Sequence, residues 1–291
     1  MLTYPGSARG EVRQRVLITG GSGRLGHAVA ERLARTADVA VLDMRASAIG
    51  DVECHTGSVL DASLLARAAK GADAVVHAAA LLPRNQTETA IFETNVMGTW
   101  NALAAAEAAG CRRFVLVSSE CATGLCFQRN ERAPAYLPVD EDHPLSPSDA
   151  YSLSKQACEV MAAAFGRRGR MAVTVLRPLY ILFDIERDSI SRRQDLWHQD
   201  LWGYVDPADI VDAVAASLRT DAPAGPIFVG APDTLCEEPT LELVRHRFGV
   251  LPPIRDPGYF QSNPNAAVFD SRRARVELGI TTRSTWKSPT W

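Results

Sequence analysis

The sequence predicts an α/β chain: a doubly wound parallel sheet with a small lobe over its C-terminal edge. Three observations carry this. Short apolar runs of strand length recur along the first two thirds of the chain, with helical patterns between them. The runs are apolar throughout, as expected of strands covered on both faces. A glycine-rich turn, Gly20-Gly21-Ser22-Gly23-Arg24-Leu25-Gly26, joins the first apolar run to the first helical pattern.

Each element follows in order. Val16–Thr19 reads as the first strand and residues 27–35 as the first helix. Val39–Asp43 is the second strand and Val52–Thr56 a short third. Asp61 is placed to cap a helix running to Lys70, because its carboxylate can accept from the unpaired first-turn N–H groups. Ala74–His77 is the fourth strand. Glu88–Ala109 reads as one long Ala-rich helix closed by Gly110. Phe114–Ser118 is the fifth strand, and residues 120–148, rich in Pro, Asp and Glu, read as irregular. Asp149–Phe165 is helical and Ala172–Arg177 is the sixth strand. Asp206–Leu218 predicts a helix with Pro207 in its first turn. Ile227–Val229 is a further strand, Thr240–Phe248 a helix, 249–267 a Pro- and Asn-rich loop, and Ser271–Leu278 a closing helix.

Length and charge narrow the function classes. A chain of 291 residues suits one large α/β unit. A net charge of −3 gives no electrostatic case for nucleic acid or an acidic membrane. No apolar run approaches the roughly 20 residues of a membrane span. Met1–Gln14 lacks an apolar signal core and reads as a loose leader, which implies a cytoplasmic protein. The six cysteines form no Cys-x-x-Cys pair and no Cys/His spacing of a zinc site, so buried reduced thiols and no metal are expected. His143, in a loop before Pro144, is expected to be solvated. Of 31 basic residues only Lys70, Lys155 and Lys287 are lysines. A lysine kept in so Arg-rich a chain suggests a task Arg cannot do, such as acting as a compact charge with a responsive pKa.

The glycine turn reads as a phosphate cradle. Glycines allow a sharp turn and close approach of backbone N–H groups to a pyrophosphate, and the helix N-terminus adds partial positive charge. Asp43 ends the second strand about twenty residues on, where a ribose diol needs an acceptor. That acid favours NAD, while Arg45 keeps NADP open. The competing reading is an ordinary glycine turn beside a solvated Asp.

Tyr151 and Lys155 stand four apart at the start of a helix and therefore share a face. A neighbouring ammonium and an oxidised nicotinamide would stabilise a phenolate, making an acid or base usable near neutral pH. Ser118-Ser119 end the fifth strand, where a hydroxyl points into the ligand crevice and can orient a substrate oxygen towards Tyr151. A strand-end cap is the plainer role for these serines.

With these residues in place the chain resembles an extended short-chain dehydrogenase/reductase, the NAD-dependent epimerase/dehydratase family with its Rossmann sheet. The matching strings run from about Val16 to Leu278. They include Thr19–Gly26, Asp43, Val76–Ala80, Asn95–Thr99, Ser118-Ser119, Pro138–Pro144, Tyr151–Lys155, Arg177-Pro178 and Tyr204–Ile210. The resemblance implies Tyr151 as acid/base, Ser119 on the reacting oxygen, Lys155 on the nicotinamide ribose and lowering the Tyr151 pKa, and Asn95 steadying the site. It implies cofactor contacts from Gly20, Gly23, Arg24, Leu25, Gly26, Asp43, Met44, Arg45, Ser58, Val59, His77, Ala78, Ala79, Ala80, Val117, Pro178 and Leu179. For His77 a satisfied structural role is the favoured alternative to catalysis. Substrate contacts fall on Leu81, Ser119, Glu120, Cys121 and Tyr151. The expected organisation is a leader over 1–14, a dinucleotide-binding core with the catalytic residues over 15–180, and a mixed region over 181–291.

Departures from the family pattern concentrate in the pocket. Ser58 stands where an acid near the adenine is common, Ala122-Thr123-Gly124 replaces Val-Tyr-Gly, and Leu179-Tyr180-Ile181-Leu182 follows Arg177-Pro178 in place of a Tyr-Gly-Pro string. Only about twenty-five residues separate Pro178 from Tyr204, among them Trp197, His198 and Trp202, with no second phosphate cradle. Arg187, Arg192 and Arg193 could meet an anion, though a solvated cluster is the commoner explanation. This compact stretch points to a small substrate, a free sugar, uronic acid or other secondary alcohol, and resembles the short uronate-dehydrogenase-like branch. The expected activity is NAD-dependent oxidoreduction. An NAD-retaining sugar or nucleotide-sugar epimerase is the alternative, and a non-catalytic NAD sensor a third. A dehydratase would need an acid/base pair beside the serine, of which Glu120 supplies half. Ala-rich helices over 88–109 and 149–165 suggest a homodimer.

Overall fold

The computed structural model describes residues 13–50, 52–126, 132–186, 200–221, 225–283 and 286. Seven strands are present: β1 (Arg15–Thr19), β2 (Asp38–Asp43), β3 (Glu53–Thr56), β4 (Ala74–His77), β5 (Arg113–Val117), β6 (Ala172–Pro178) and β7 (Pro226–Val229). All pairings are parallel, in the order β3-β2-β1-β4-β5-β6-β7. Successive side chains serve opposite faces, which explains the unbroken apolar runs. Val16, Ile18, Val39, Val41 and Val115 join one buried cluster, while Leu17, Ala40, Leu42, Phe114 and Leu116 join another.

Helices cover both faces. α1 (Arg24–Ala34), α6 (Pro207–Ser217) and α9 (Arg272–Leu278) pack on the first cluster through residues such as Val29, Leu33, Ile210, Val214 and Leu278. α2 (Ala62–Ala68), α4 (Gly98–Ala108) and α5 (Ala150–Arg167) pack on the second through Leu65, Leu103, Ala106, Ala162 and Phe165. Each Val, Leu, Ile or Phe among them contributes about 1.5–3 kcal/mol by leaving water. A third cluster, including Leu137, Val139, Leu179, Trp202, Tyr204, Phe228 and Phe269, takes in Leu243 of α7 (Thr240–Phe248) and Phe260 of α8 (Pro257–Ser262). Parallel bridges Leu137↔Ile254 and Val139↔Phe269 join the 135–139 segment to this layer. Among the described residues no helix is long and apolar enough to cross a membrane.

Four expectations change. The long helix over 88–109 is α3 (Glu88–Phe92), a π turn at Glu93–Met97, then α4. The π turn carries Asn95 into the protein, where it bonds Leu81 and Ser154 (below). The loop over 249–267 contains α8, capped by Asp256 accepting from Tyr259 N at 3.2 Å; six residues are too few to show a period. His143 is buried, not solvated: Ala135 N donates to its Nε2 at 2.9 Å, and its Nδ1 lies 2.9 Å from Pro144 O. Cys54 is exposed; the other five cysteines are buried. Arg187, Arg192, Arg193, Trp197 and His198 lie outside the described residues, as does most of the expected leader.

Candidate active site

The chain order reverses on either side of β1, so a crevice opens between the C-terminal ends of β1 and β4. Thr19 pairs with Leu42 on one side and with His77 on the other, which brings the predicted strand-end residues to one edge. The glycine turn lies there. Gly20 has φ +73°, and a Cβ on it would sit 2.6 Å from Ala79 N. A Cβ on Gly26 would sit 2.1 Å from Gly20 O. The turn thus closes tightly on the start of α1 and on Ala78-Ala79. It presents backbone N–H groups and a helix N-terminus to the crevice, a donor set that fits a dinucleotide pyrophosphate.

Asp43 clips this turn to β2. Its Oδ2 accepts from Ser22 N at 3.0 Å and its Oδ1 from Arg45 N at 3.1 Å. The Arg45 guanidinium donates to Ser22 O at 2.8 Å. A cavity of about 480 Å³ opens beside them, lined by Ser22, Gly23, Arg24, His27, Arg45 and Phe183 among others. Arg24 pairs with Glu186 at 2.7 Å and lies over the Phe183 ring. Val59 is buried and Leu25 partly so, whereas Met44 projects into solvent. Ser58 Oγ accepts from Leu60 N at 3.1 Å.

His77 is a structural residue by its contacts. Its Nδ1 lies 2.7 Å from Thr19 Oγ1 and its Nε2 3.1 Å from Thr99 Oγ1. Burial, with the nearby Lys155 charge, pushes its pKa down to about 3. Asn95 is a positioning residue. Its Oδ1 accepts from Leu81 N at 2.7 Å, and its Nδ2 donates to Leu81 O at 3.1 Å and to Ser154 Oγ at 3.0 Å. It thereby locks the chain after β4 to α5, the helix that carries Tyr151 and Lys155.

Ser119, Tyr151 and Lys155 converge beyond the end of β5. The Ser119 hydroxyl lies beside the Tyr151 phenol and favours its ionised form. It also meets Glu120 Oε2 at 3.1 Å and accepts from Cys121 N at 3.2 Å, capping the short 3-10 turn Glu120–Thr123. Lys155 Nζ lies 5.8 Å from the Tyr151 ring centroid and donates to Val117 O at 3.0 Å. The expected lowering of the Tyr151 pKa is not what this geometry gives. Burial raises it well above the ordinary phenol value, and the neighbouring Cys121 and Glu120 raise it further. Burial also lowers the Lys155 pKa. Burial therefore favours the neutral phenol of Tyr151. Glu120 is buried too, and burial with the nearby Asp200 pushes its carboxyl up to about 8.

Sequence reasoning missed the support beneath this group. Glu159, one turn beyond Lys155 on α5, accepts from Arg177 Nε at 2.9 Å, from Arg177 Nη2 at 2.7 Å and from Ser118 Oγ at 2.6 Å. Arg177 and Glu159 are both buried, and Arg177 is among the largest side chains fully removed from water. The pair pins α5 to the ends of β5 and β6. The i, i+4 spacing of Glu159 from Lys155 was a signal available for it; the bond across to Arg177 was not. Pro178 ends β6 and Leu179 follows it, its N donating to Val229 O at 3.0 Å.

Comparison with known proteins agrees with this geometry. Residues 16–181 match the NAD dependent epimerase/dehydratase family. A solved short-chain dehydrogenase/reductase superfamily protein from Agrobacterium tumefaciens with bound NAD is 26% identical, with a TM-score of 0.70 over 94% of each chain. An L-arabinose 1-dehydrogenase (NAD(P)(+)) from Haloferax volcanii is 26% identical over 74% of this chain and 86% of its own length. An N-acetyl-alpha-D-glucosaminyl-diphospho-ditrans,octacis-undecaprenol 4-epimerase from Escherichia coli O157:H7 is 31% identical over 60% of this chain and 51% of its own length. An uncharacterized protein of Sinorhizobium fredii is 28% identical over 60% of this chain, a match spanning 42% of that relative. With more than half of its length matching that family, the chain belongs to the NAD-dependent epimerase/dehydratase family of short-chain dehydrogenases/reductases, whose cofactor is NAD.

Proposed function

We propose that the protein is an oxidoreductase that uses NAD to accept or return a hydride at the carbinol or carbonyl carbon of a small secondary alcohol, sugar or uronic acid. The observation that supports it most is the meeting of Ser119 and Tyr151 above Lys155, at the sheet edge shared with the glycine cradle. Ser119 holds the reacting oxygen by hydrogen bond. Tyr151 gives its proton to that oxygen as negative charge develops, or takes it in the reverse direction. Lys155 is held by Val117 O and would meet the nicotinamide ribose. Asn95 acts through others, keeping Leu81 and α5 in place. The glycine turn would hold the pyrophosphate and Asp43 the ribose diol, with Ser58 and Val59 near the adenine. His77 through its main chain, Ala78–Ala80, Pro178 and Leu179 would line the nicotinamide side.

A small substrate is supported by the short stretch from Pro178 to Tyr204 and by the arabinose dehydrogenase that matches most of this chain. Tyr151→Phe tests the chemistry: turnover should fall about 10²–10⁴-fold with NAD affinity nearly unchanged. Near-normal rates would remove Tyr151 from the acid/base role. The substrate class is read from NADH growth against a panel of sugars and uronic acids.

A second reading, an epimerase that retains its cofactor, is favoured by the 31% identical epimerase relative. It predicts stoichiometric NAD released on denaturation and no NADH accumulation. We also infer a homodimer through α3, α4 and α5, because Phe92, Met97, Trp100, Leu153 and Val160 expose apolar surface on these neighbouring helices. Light scattering that finds only monomer at micromolar concentration would end that inference.

A further inference from the structure

Glu120, Cys121, Cys126 and Asp200 come together under the catalytic group, and nothing in the proposed reaction needs all four. Each offers one ligand atom, and these atoms lie within 4.8 Å of one another. All four residues are buried. Cys121 Sγ lies 3.8 Å from Glu120 Oε1 and Cys126 Sγ 3.9 Å from the same oxygen. In a tetrahedral zinc site, bonds of about 2.3 Å to sulfur and about 2.0 Å to oxygen give a sulfur–oxygen edge of about 3.5 Å. These two edges need to contract by only a few tenths of an ångström, and the remaining ones start within 4.8 Å.

Two further observations point to a cation. The Asp200 carboxylate is more than nine-tenths buried beside the buried Glu120 carboxyl, and no side-chain donor or cation among the described residues meets it. The thiols flank a tight turn: Gly124, with φ +77°, packs against Ser146, and its N donates to Cys121 O at 2.9 Å.

We propose that Cys121, Cys126, Glu120 and Asp200 form a binding site for a tetrahedral, thiophilic divalent cation of the zinc type. Two thiolates select against magnesium and calcium, and four protein ligands close the coordination shell, as in structural sites. On binding, four metal–ligand bonds form and the thiol protons, with any carboxyl proton, leave to solvent. The ion ties the turn after β5 to Asp200. It also fixes Glu120, whose Oε2 meets Ser119 Oγ at 3.1 Å. Its role is to position Ser119, and it does not contact the reacting oxygen. The sequence led to an expectation of no metal because its cysteines form no Cys-x-x-Cys pair and no Cys/His spacing of a zinc site.

The test uses the full chain, stripped with a chelator and titrated with Zn²⁺ or Co²⁺. The expected result is one ion per protomer, with the thiolate-to-cobalt charge-transfer band and the visible bands of tetrahedral cobalt. Cys126→Ser should roughly halve the charge-transfer band, and Asp200→Asn should weaken cobalt affinity at least about tenfold. If either variant misfolds by circular dichroism, the wild type still decides. Zinc must then protect two further thiols from alkylation in the native protein. No uptake by the wild type, cobalt bound without a thiolate band, or a Cys121–Cys126 disulfide in the freshly reduced protein would each overturn the site. None of these readouts requires turnover, so they stand apart from the proposed oxidoreductase activity.

Discussion

His77 should make the fold acid-sensitive through one side chain. Its imidazole is fully buried, both ring nitrogens meet threonine hydroxyls, and its pKa is pushed down to about 3. In the unfolded chain it titrates near 6.5. Above that value both states carry a neutral ring and His77 contributes nothing to pH dependence. As pH falls below about 6.5 the unfolded chain takes up a proton that the folded protein refuses until about pH 3. The unfolded state therefore gains, and stability is lost by roughly 1 kcal/mol per pH unit, or about 2 kcal/mol between about pH 6.5 and about pH 4.5. The perturbation is His77→Gln, which keeps hydrogen-bonding groups and cannot titrate. The assay is urea unfolding at several pH values for both proteins. The difference between their curves removes the carboxylates they share. The variant should be less stable at pH 7 and should approach the wild type as pH drops. Parallel curves would refute the reasoning and show that the ring protonates inside the fold or meets water.

Glu159→Gln should cost about 3–5 kcal/mol by leaving the buried Arg177 guanidinium unpaired, read as a lower unfolding midpoint; a loss below about 1 kcal/mol would mean that water reaches the pair. The double change Glu159→Leu with Arg177→Met should restore much of that stability, because no buried charge then remains. Gly26→Ala places a Cβ 2.1 Å from Gly20 O, so the turn must open; NAD affinity should fall at least about tenfold at a stability cost of about 1–3 kcal/mol, and unchanged calorimetric affinity would remove the turn from the pyrophosphate. Asp43→Ala should weaken NAD more than NADP, and equal losses would show that its two backbone bonds to Ser22 and Arg45, not a ribose contact, are what binding senses.

The sheet was legible because its signal is local. Apolar runs covered on both faces stand out residue by residue, and the predicted strands lie within about a residue of β1 to β7. Capping was equally local: Asp61 accepts from Leu64 N, Asp149 from Ser152 N and Asp206 from Ala208 N at the starts of α2, α5 and α6. What failed depended on tertiary partners. The π turn at Glu93–Met97 breaks no composition rule; it is held where Asn95 meets Leu81 and Ser154. His143 looked like a loop residue because neither Ala135 N nor the surrounding burial is visible from its neighbours in sequence.

The same division runs through the site. Ser119, Tyr151, Lys155 and the glycine turn sit at fixed offsets from strand and helix ends, so their convergence follows once the element order is known. Their protonation does not follow. The spacing of Tyr151 and Lys155 suggested a phenol made more acidic by an ammonium, yet burial and the flanking Glu120 and Cys121 act the other way, and Lys155 is turned to Val117 O. A pKa reflects everything packed around a group, and Asp200 reaches Glu120 from eighty residues further along the chain. Residue spacing therefore identifies which groups can act, while the surrounding charges and burial decide in which direction a proton moves. If Tyr151 is the acid/base of the proposed reaction, its raised pKa favours donation, and deprotonating it for alcohol oxidation would call for added positive charge beside it. This is a physical reason for the order of binding in that direction to be cofactor first, and steady-state product inhibition that shows the alcohol binding productively before NAD would contradict it.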